Sequence, residues 1–221
     1  MNWQPLLLTF QLALITTAVL LVVGLPLAYW LAYTRNRLKP VIETLVSMPL
    51  VLPPTVLGFY FLLAFSPNNA FGSWLDEWLG LRLVFSFGGL VLASVIYSLP
   101  FMVQPLQAGL AGLPSSLTEA AALMGKGRWS TLRYVLLPNS KGPLLTGTVL
   151  TFAHTIGEFG VVLMIGGNIP GRTRVASIAI YDEVEALNYG AANAYSLILF
   201  ALSFAILLLV YWLNGQQKSR A

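Results

Sequence analysis

Glu119 to Pro138 reads EAAALMGKGRWSTLRYVLLP, a polar, basic cassette set between very apolar stretches. Just before it, Pro114-Ser115-Ser116-Leu117-Thr118-Glu119 carries a helix-start signature: Ser116 is placed to cap the helix, and Glu119, three residues on, to reach back to its backbone N–H. Leu117, Ala120, Ala121 and Met124 then recur at helical spacing, a narrow stripe of mostly small side chains that suits a groove. Gly125 stands where a helix ends in a left-handed residue, Lys126, Arg128 and Arg133 supply positive charge, and Pro138 closes the unit. The expectation is two short helices with a glycine elbow. Read from its residues alone, the cassette is either a solvated loop between spans or a docking element.

Outward from the cassette the chain is apolar. Hydrophobic residues make up 57% of its 221 residues and charged residues only 9%, with a mean hydropathy of +0.77. A soluble domain of this size does not sustain such values, so the chain reads as a polytopic membrane protein in contact with the lipid bilayer. Its net charge of +4 is too dispersed for a phosphate-tracking surface, which argues against nucleic acid. With no cysteine there is no disulfide framework, thiolate metal site or thiol nucleophile. The N-terminus has no basic residue ahead of its apolar run, and that run is too long for a cleavable signal, so it is read as a retained first span.

Five spans are expected: Leu6 to Tyr33 with a kink at Pro26, Ile42 to Phe65, Phe85 to Leu110 with Pro100 and Pro105 inside, Pro143 to Ile165, and Ala191 to Leu213. Pro49, Pro53 and Pro54 interrupt the second, which is therefore expected to bend or unwind where protein surrounds it and to line a pathway. Ser66 to Val84, with Trp74 and Trp78, reads as a short interfacial helix, Gly166 to Gly190 as a polar segment, and Asn214 to Ala221 as a short basic tail. Nine of the twelve Lys and Arg residues fall after the first, third and fifth spans. The remaining three, Arg82, Arg172 and Arg174, lie on the other side among Asp76, Glu77, Asp182, Glu183 and Glu185. By the positive-inside rule the N-terminus is outside, the C-terminus cytoplasmic and the cassette cytoplasmic. No repeat or linker divides the chain, so residues 1–221 are read as one integral domain with the loop at 114–138.

Some chemistry is missing. Gly125-Lys126-Gly127 lacks the earlier glycine and the Ser/Thr of a phosphate loop, so the sequence carries no such nucleotide-hydrolysing motif of its own. His154 and Glu158 share a helical face, but a lone His-x-x-x-Glu is a poor metal site, and no nucleophile set accompanies it. No catalytic, cofactor or metal residues are assigned. An ionisable Glu158 inside a span faces a bundle interior or an aqueous cavity, and its role is read as hydrogen bonding or gating, with His154 a packed, neutral partner.

The spacing Glu119-Ala120-Ala121, Gly125 and Val135-Leu136-Leu137-Pro138 resembles the EAA loop of ABC importer permease subunits, with valine at 135 where the family usually has isoleucine. The resemblance implies an all-α integral membrane protein of the type I importer permease fold, whose cytoplasmic coupling helix docks on a separate ATPase. Glu119, Ala120, Ala121, Met124, Gly125, Arg128 and Pro138 would serve that contact. Met48 to Gly58, Gly157-Glu158-Phe159-Gly160, Gly167 to Arg174 and Ile178 to Tyr181 further resemble the molybdate permeases of the molybdate/tungstate/sulfate group. Some relatives in that group carry an additional N-terminal span, so five rather than six helices are expected here. Pro53, Pro54, Gly157, Glu158 and Gly160 are the expected path or gate. Arg172 and Arg174 either attract an oxyanion or a docked binding protein, or pair locally with Asp182, Glu183 or Glu185.

The expected function is the pore of a molybdate importer in the bacterial cytoplasmic (inner) membrane: a homodimer with two ATPase subunits and a periplasmic or extracellular oxyanion-binding protein. ATP and magnesium would be held by the partner ATPase, and no cofactor by this chain. Tungstate or sulfate is the alternative cargo, and a non-transporting membrane anchor or sensor for an ATPase the alternative class.

Overall fold

A computed structural model describes residues 2–218; Met1 and Ser219 to Ala221, including the tail's Arg220, lie outside the described residues. The described residues form helices and no strand. They comprise α1 (Gln4–Tyr33), α2 (Lys39–Val51), α3 (Pro54–Phe65), α4 (Ala70–Leu79), α5 (Phe87–Ala111), α6 (Ser115–Leu123), α7 (Arg128–Thr131), a π-helical turn (Leu132–Leu136), α8 (Leu137–Asn139), α9 (Lys141–Ile156), α10 (Gly160–Gly166), α11 (Ala176–Glu185) and α12 (Tyr189–Lys218).

Helices α1, α5 and α9 make the core. Leu12 packs with Leu90 and Ala93, Leu20 and Ala28 with Met102, Val103 and Leu106, and Tyr33 Oη donates to Leu110 O at 2.8 Å. Those pairings run in step, so α1 and α5 are parallel. Helix α9 runs the opposite way, with Pro143 against Gly109, Gly147 against Met102 and Thr155 beside Ser98. Helix α12 packs outside this core against α9 and α11 and leaves most of its surface open, as a lipid-facing helix does.

Three helices, α1, α5 and α12, are long and apolar enough to cross a membrane, and two bent pairs bring the number to five. Helices α2 and α3 meet at 112°, and α9 and α10 at 58°. The chain's course decides whether each pair crosses. Because α1 and α5 start at the same end, α2 and α3 together must return the chain to that end, and Phe65 and Ser66 do line a cavity with Phe85 and Ser86 there. Likewise α9 leaves from the far end, and α10 reaches Phe85, whose N–H donates to Ile165 O at 2.9 Å. Tyr195, near the start of α12, bonds to Asn2, so the last helix sets out from the end where the first begins. Five crossings result, as the hydropathy pattern predicts.

The first break has its expected cause. Leu52 and Pro53 are extended because a residue before proline is driven out of the α region, while Pro54 fits the first turn of α3, where no N–H is needed. The second break is a correction to the continuous fourth span read from sequence: Gly157, Glu158 and Phe159 leave the helix, with Phe159 at φ −130°, ψ −65°. The expected polar segment 166–190 also contains a helix, α11, whose Ala176, Ile178 and Ala179 are buried. The interfacial helix expected within 66–84 is α4, which ends at left-handed Gly80 and exposes Phe71, Trp74 and Trp78.

Candidate functional site

The cassette is built on an apolar footing. Leu110, Leu132 and Leu136 are buried together at the far end of α1, against Tyr29, Ala32, Leu113 and Leu137, and Ala121 tucks inward from α6. Helix α6 begins two residues earlier than expected: Pro114 precedes it, Ser116 lies inside it, and neither provides a side-chain cap. The Ser116–Glu119 capping box is therefore not formed. A proline locked at φ −58° delivers the chain straight into the first turn, so Ser115 already sits in the helix.

The C-terminal end of α6 closes as predicted. Gly125 adopts φ +68°, its N–H donates to Ala122 O at 2.9 Å, and Lys126 N–H donates to Ala121 O at 3.0 Å, the paired bonds of a Schellman motif. No atom lies within 4 Å of where a Cβ at Gly125 would stand, so conformation alone requires glycine. The π-helical turn is a feature the sequence reading missed. Pro138 cannot donate to the carbonyl four residues back and its ring would strike it; widening the preceding turn, with Leu137 N–H bonded to Leu132 O, removes the conflict. Proline thus does not stop the helix, which continues to Asn139.

The outer face of the cassette holds the predicted Glu119, Ala120, Met124, Gly125, Arg128 and Pro138, all exposed. Of the predicted stripe only Ala121 is buried, while Leu117 is half-buried. Beside them, Leu123 is 91% exposed, Met124 74% and Trp129 68%. Leu123 and Trp129 escaped the sequence reading, although a large aromatic in a basic loop is a usable signal for a contact surface.

A second group assembles at the two breaks. Pro54, Thr55, Tyr97, Ala153, His154, Gly157, Glu158, Phe159 and Gly160 line a cleft of about 480 Å³. The structure thus brings four predicted path residues together, Pro54, Gly157, Glu158 and Gly160; Pro53 is not among the lining residues. A Cβ on Gly160 would stand 3.0 Å from Pro54 Cβ and 3.3 Å from Thr55 N, so glycine lets the two half-helix starts meet. Further along, a Cβ on Gly58 would stand 2.7 Å from Met164 Cβ, and α3 and α10 run side by side.

Glu158 is 4% exposed and its carboxylate is turned into the protein. Ser94 donates to one oxygen, Ser98 donates to the other at 2.8 Å, and Ser177 donates to its backbone carbonyl. A buried carboxylate is tolerable only with such partners. Ser98 Oγ also lies 2.9 Å from His154 Nδ1; with its single proton given to Glu158 it accepts there, which puts the imidazole proton on Nδ1. The imidazole stacks on Phe101 at 3.9 Å between centroids, with Tyr97 at 4.8 Å. Both ionisable groups are held in place by neighbouring side chains, and no cluster among the described residues is suited to a metal ion.

Arg172 and Arg174 separate. Arg174 Nε donates to Asn168 Oδ1 at 2.7 Å and lies 3.3 Å from Asp182 Oδ2, while Asn168 Nδ2 donates to both Asp182 oxygens. Arg174 therefore braces its own loop. Arg172 is exposed and lines a cavity of about 820 Å³ with Asp76, Arg82 and Ile169, at the opposite end of α1 from the cassette. There Arg82 pairs with Asp76 at 2.9 Å.

Residues 24–219 match the family of binding-protein-dependent transport system inner membrane components. The chain is 50% identical over 207 residues to the molybdenum transport system permease protein of Azotobacter vinelandii, covering 92% of this chain and 90% of that one. It is 32% identical over 222 residues to the corresponding protein of Escherichia coli K12, covering 100% and 96%. A probable sulfate transport system permease protein of Zygnema circumcarinatum is 34% identical over 211 residues, covering 96% and 73%. Among solved structures, a bacterial ABC transporter that imports alginate superposes with a TM-score of 0.74 at 16% identity, covering 98% of this chain and 80% of that one. The inward-facing methionine ABC transporter gives 0.71 at 19%, covering 97% and 93%. A helical bundle with five membrane crossings, two of them broken, a basic helical loop at one end, and a match over most of the chain identify it as a member of the binding-protein-dependent transport system inner membrane component family, a multi-pass inner membrane protein.

Proposed function

We propose that this chain is the pore-forming permease subunit of an ATP-driven molybdate importer. The observation that carries the reading is 50% identity, over nearly the whole chain, to a molybdenum transport permease. Two copies pair so that the cleft at Pro54, Gly157 and Gly160 faces the partner rather than lipid, because polar groups at membrane depth need protein or water around them. The charge pattern supports a cytoplasmic cassette, where Glu119 to Gly125 and Arg128 meet a separate ATPase that holds ATP and magnesium. Arg172 faces outward, where its guanidinium favours an arriving oxyanion or acidic groups on a binding protein.

Nucleotide-driven closure of two ATPases would draw the two cassettes together. The rigid α1–α5–α9 core carries that displacement to the broken helices, which reorient between inward-open and outward-open arrangements. The chain itself transmits force and forms the path.

Proteoliposomes containing this chain, its ATPase and its binding protein should accumulate labelled molybdate only with ATP inside. Hydrolysis stimulated by the binding protein without uptake would overturn transport in favour of an anchor or sensor. Sulfate is the second cargo reading, favoured by 34% identity to a sulfate permease. Excess sulfate that abolishes molybdate uptake would decide for it.

A further inference from the structure

The cassette forms one wall of a pocket whose other lining residues the transport reading does not use; it shares only Arg128 with the ATPase contact proposed above. Tyr29, Trp30, Tyr33, Thr34, Arg35 and Arg128 line a space of about 420 Å³. Five of the six are consecutive or one turn apart at and just past the end of α1, and the sixth begins α7, so the pocket joins two segments far apart in sequence. Tyr33 is fixed by its bond to Leu110 O and by Tyr29, whose ring centroid lies 5.3 Å away.

The lining carries two guanidinium groups and no carboxylate. Neither Arg35 nor Arg128 makes an ion pair within the described residues, whereas nearby Lys39 is paired with Glu43 at 3.8 Å. The surroundings restrict what anion would fill it. Helix α1 is a 30-residue apolar span, and the pocket opens at the point where it gives way to Arg35, Arg37 and Lys39. Trp30 and Tyr33 are each more than a third exposed, the amphipathic aromatics that mark the headgroup level of a bilayer. Basic pockets at that level, between segments of a membrane protein, suit lipid phosphates, and guanidinium groups meet phosphate oxygens in pairs.

We infer that this pocket seats the phosphate of an anionic phospholipid headgroup, bridging the end of α1 to the segment after the Gly125 elbow. Placing that lipid in the cytoplasmic leaflet rests on the orientation proposed above; the site itself does not. The lipid's headgroup would set the angle at which the cassette leaves the bundle.

The test is lipid retention by the purified chain, without ATPase or substrate, so that its failure is separate from failure of the transport reading. Native mass spectrometry after stepwise delipidation in phosphatidylglycerol/phosphatidylcholine mixtures should show phosphatidylglycerol kept preferentially. Arg35→Gln with Arg128→Gln should weaken that retention about thirty-fold, the combined effect of two interfacial cations, while Lys39→Gln leaves it unchanged. Should the double variant not fold, a photoactivatable phosphatidylglycerol should cross-link the unaltered chain within Tyr29 to Arg35. Equal retention of both lipids, undiminished retention in the double variant, or cross-links only elsewhere would overturn the site. Displacement of phosphatidylglycerol by millimolar inorganic phosphate would overturn a lipid as its source. Loss of ATPase co-purification in Arg35→Gln with lipid retention intact would assign the pocket to the ATPase instead.

Discussion

Gly125 and Ser98 do different work at single positions. Gly125 needs its left-handed backbone and nothing else, so Gly125→Ala should cost about 1 kcal/mol, since no neighbour obstructs the new methyl. The strain falls on the elbow, and the expected readout is a lowered ATPase stimulation by binding protein in a chain whose melting temperature shifts only slightly. Ser98 is the opposite case. Ser98→Ala removes a donor from buried Glu158 and an acceptor from His154, a loss of about 1–3 kcal/mol. The hydroxyl of Thr151 is buried with no partner among the described residues, so Thr151→Val should be neutral or slightly stabilising. Thermal unfolding in detergent of the two variants side by side should show a lowered midpoint for Ser98→Ala and no lowering for Thr151→Val.

Helices add what no residue shows alone. The start of α10 rests on the start of α3 through Gly160, and Gly160→Val would push a branched side chain into Pro54 and Thr55, costing about 1–3 kcal/mol. Reduced uptake with an intact, monodisperse protein is the expected result, and unchanged uptake would detach this contact from the pathway. On the cassette, Trp129→Ala should weaken ATPase binding about thirty-fold, as loss of an exposed aromatic anchor does at an interface, checked by titrating the ATPase onto the chain in nanodiscs. At this scale the sequence was legible unevenly. Proline breaks announce themselves, because Pro53 and Pro54 remove two donors in a row. The break at Gly157 to Phe159 does not: it depends on Ser94, Ser98 and Ser177, distant in sequence, drawing Glu158 out of line. Helix α11 was hidden for a similar reason, since its buried face is narrow and its second half carries Asp182, Glu183 and Glu185. The π-helical turn before Pro138 follows from proline's geometry, yet a sequence alone leaves open whether the chain widens or stops there.

For the whole molecule, hydropathy sufficed to indicate five crossings, because lipid imposes the same rule on every segment. Pairings were not legible, and the parallel course of α1 and α5 came from the structure. Orientation is directly testable, since the chain has no cysteine. Met124→Cys should react with a membrane-impermeant maleimide only from the cytoplasmic side, and Arg172→Cys only from outside. Labelling both from one side would overturn the odd number of crossings.

Asn2 both donates to the Tyr195 hydroxyl, at 3.1 Å, and accepts from it, at 2.7 Å. A chain being synthesised therefore holds its earliest helix unfinished until almost its last one has been made. Leu6 waits through the same interval for Ala176, Ala179 and Tyr195 to complete its packing. Throughout synthesis an apolar flank stays open to insertases and membrane proteases, and a polypeptide stalled before Tyr195 presents them with a substrate that the completed protein conceals.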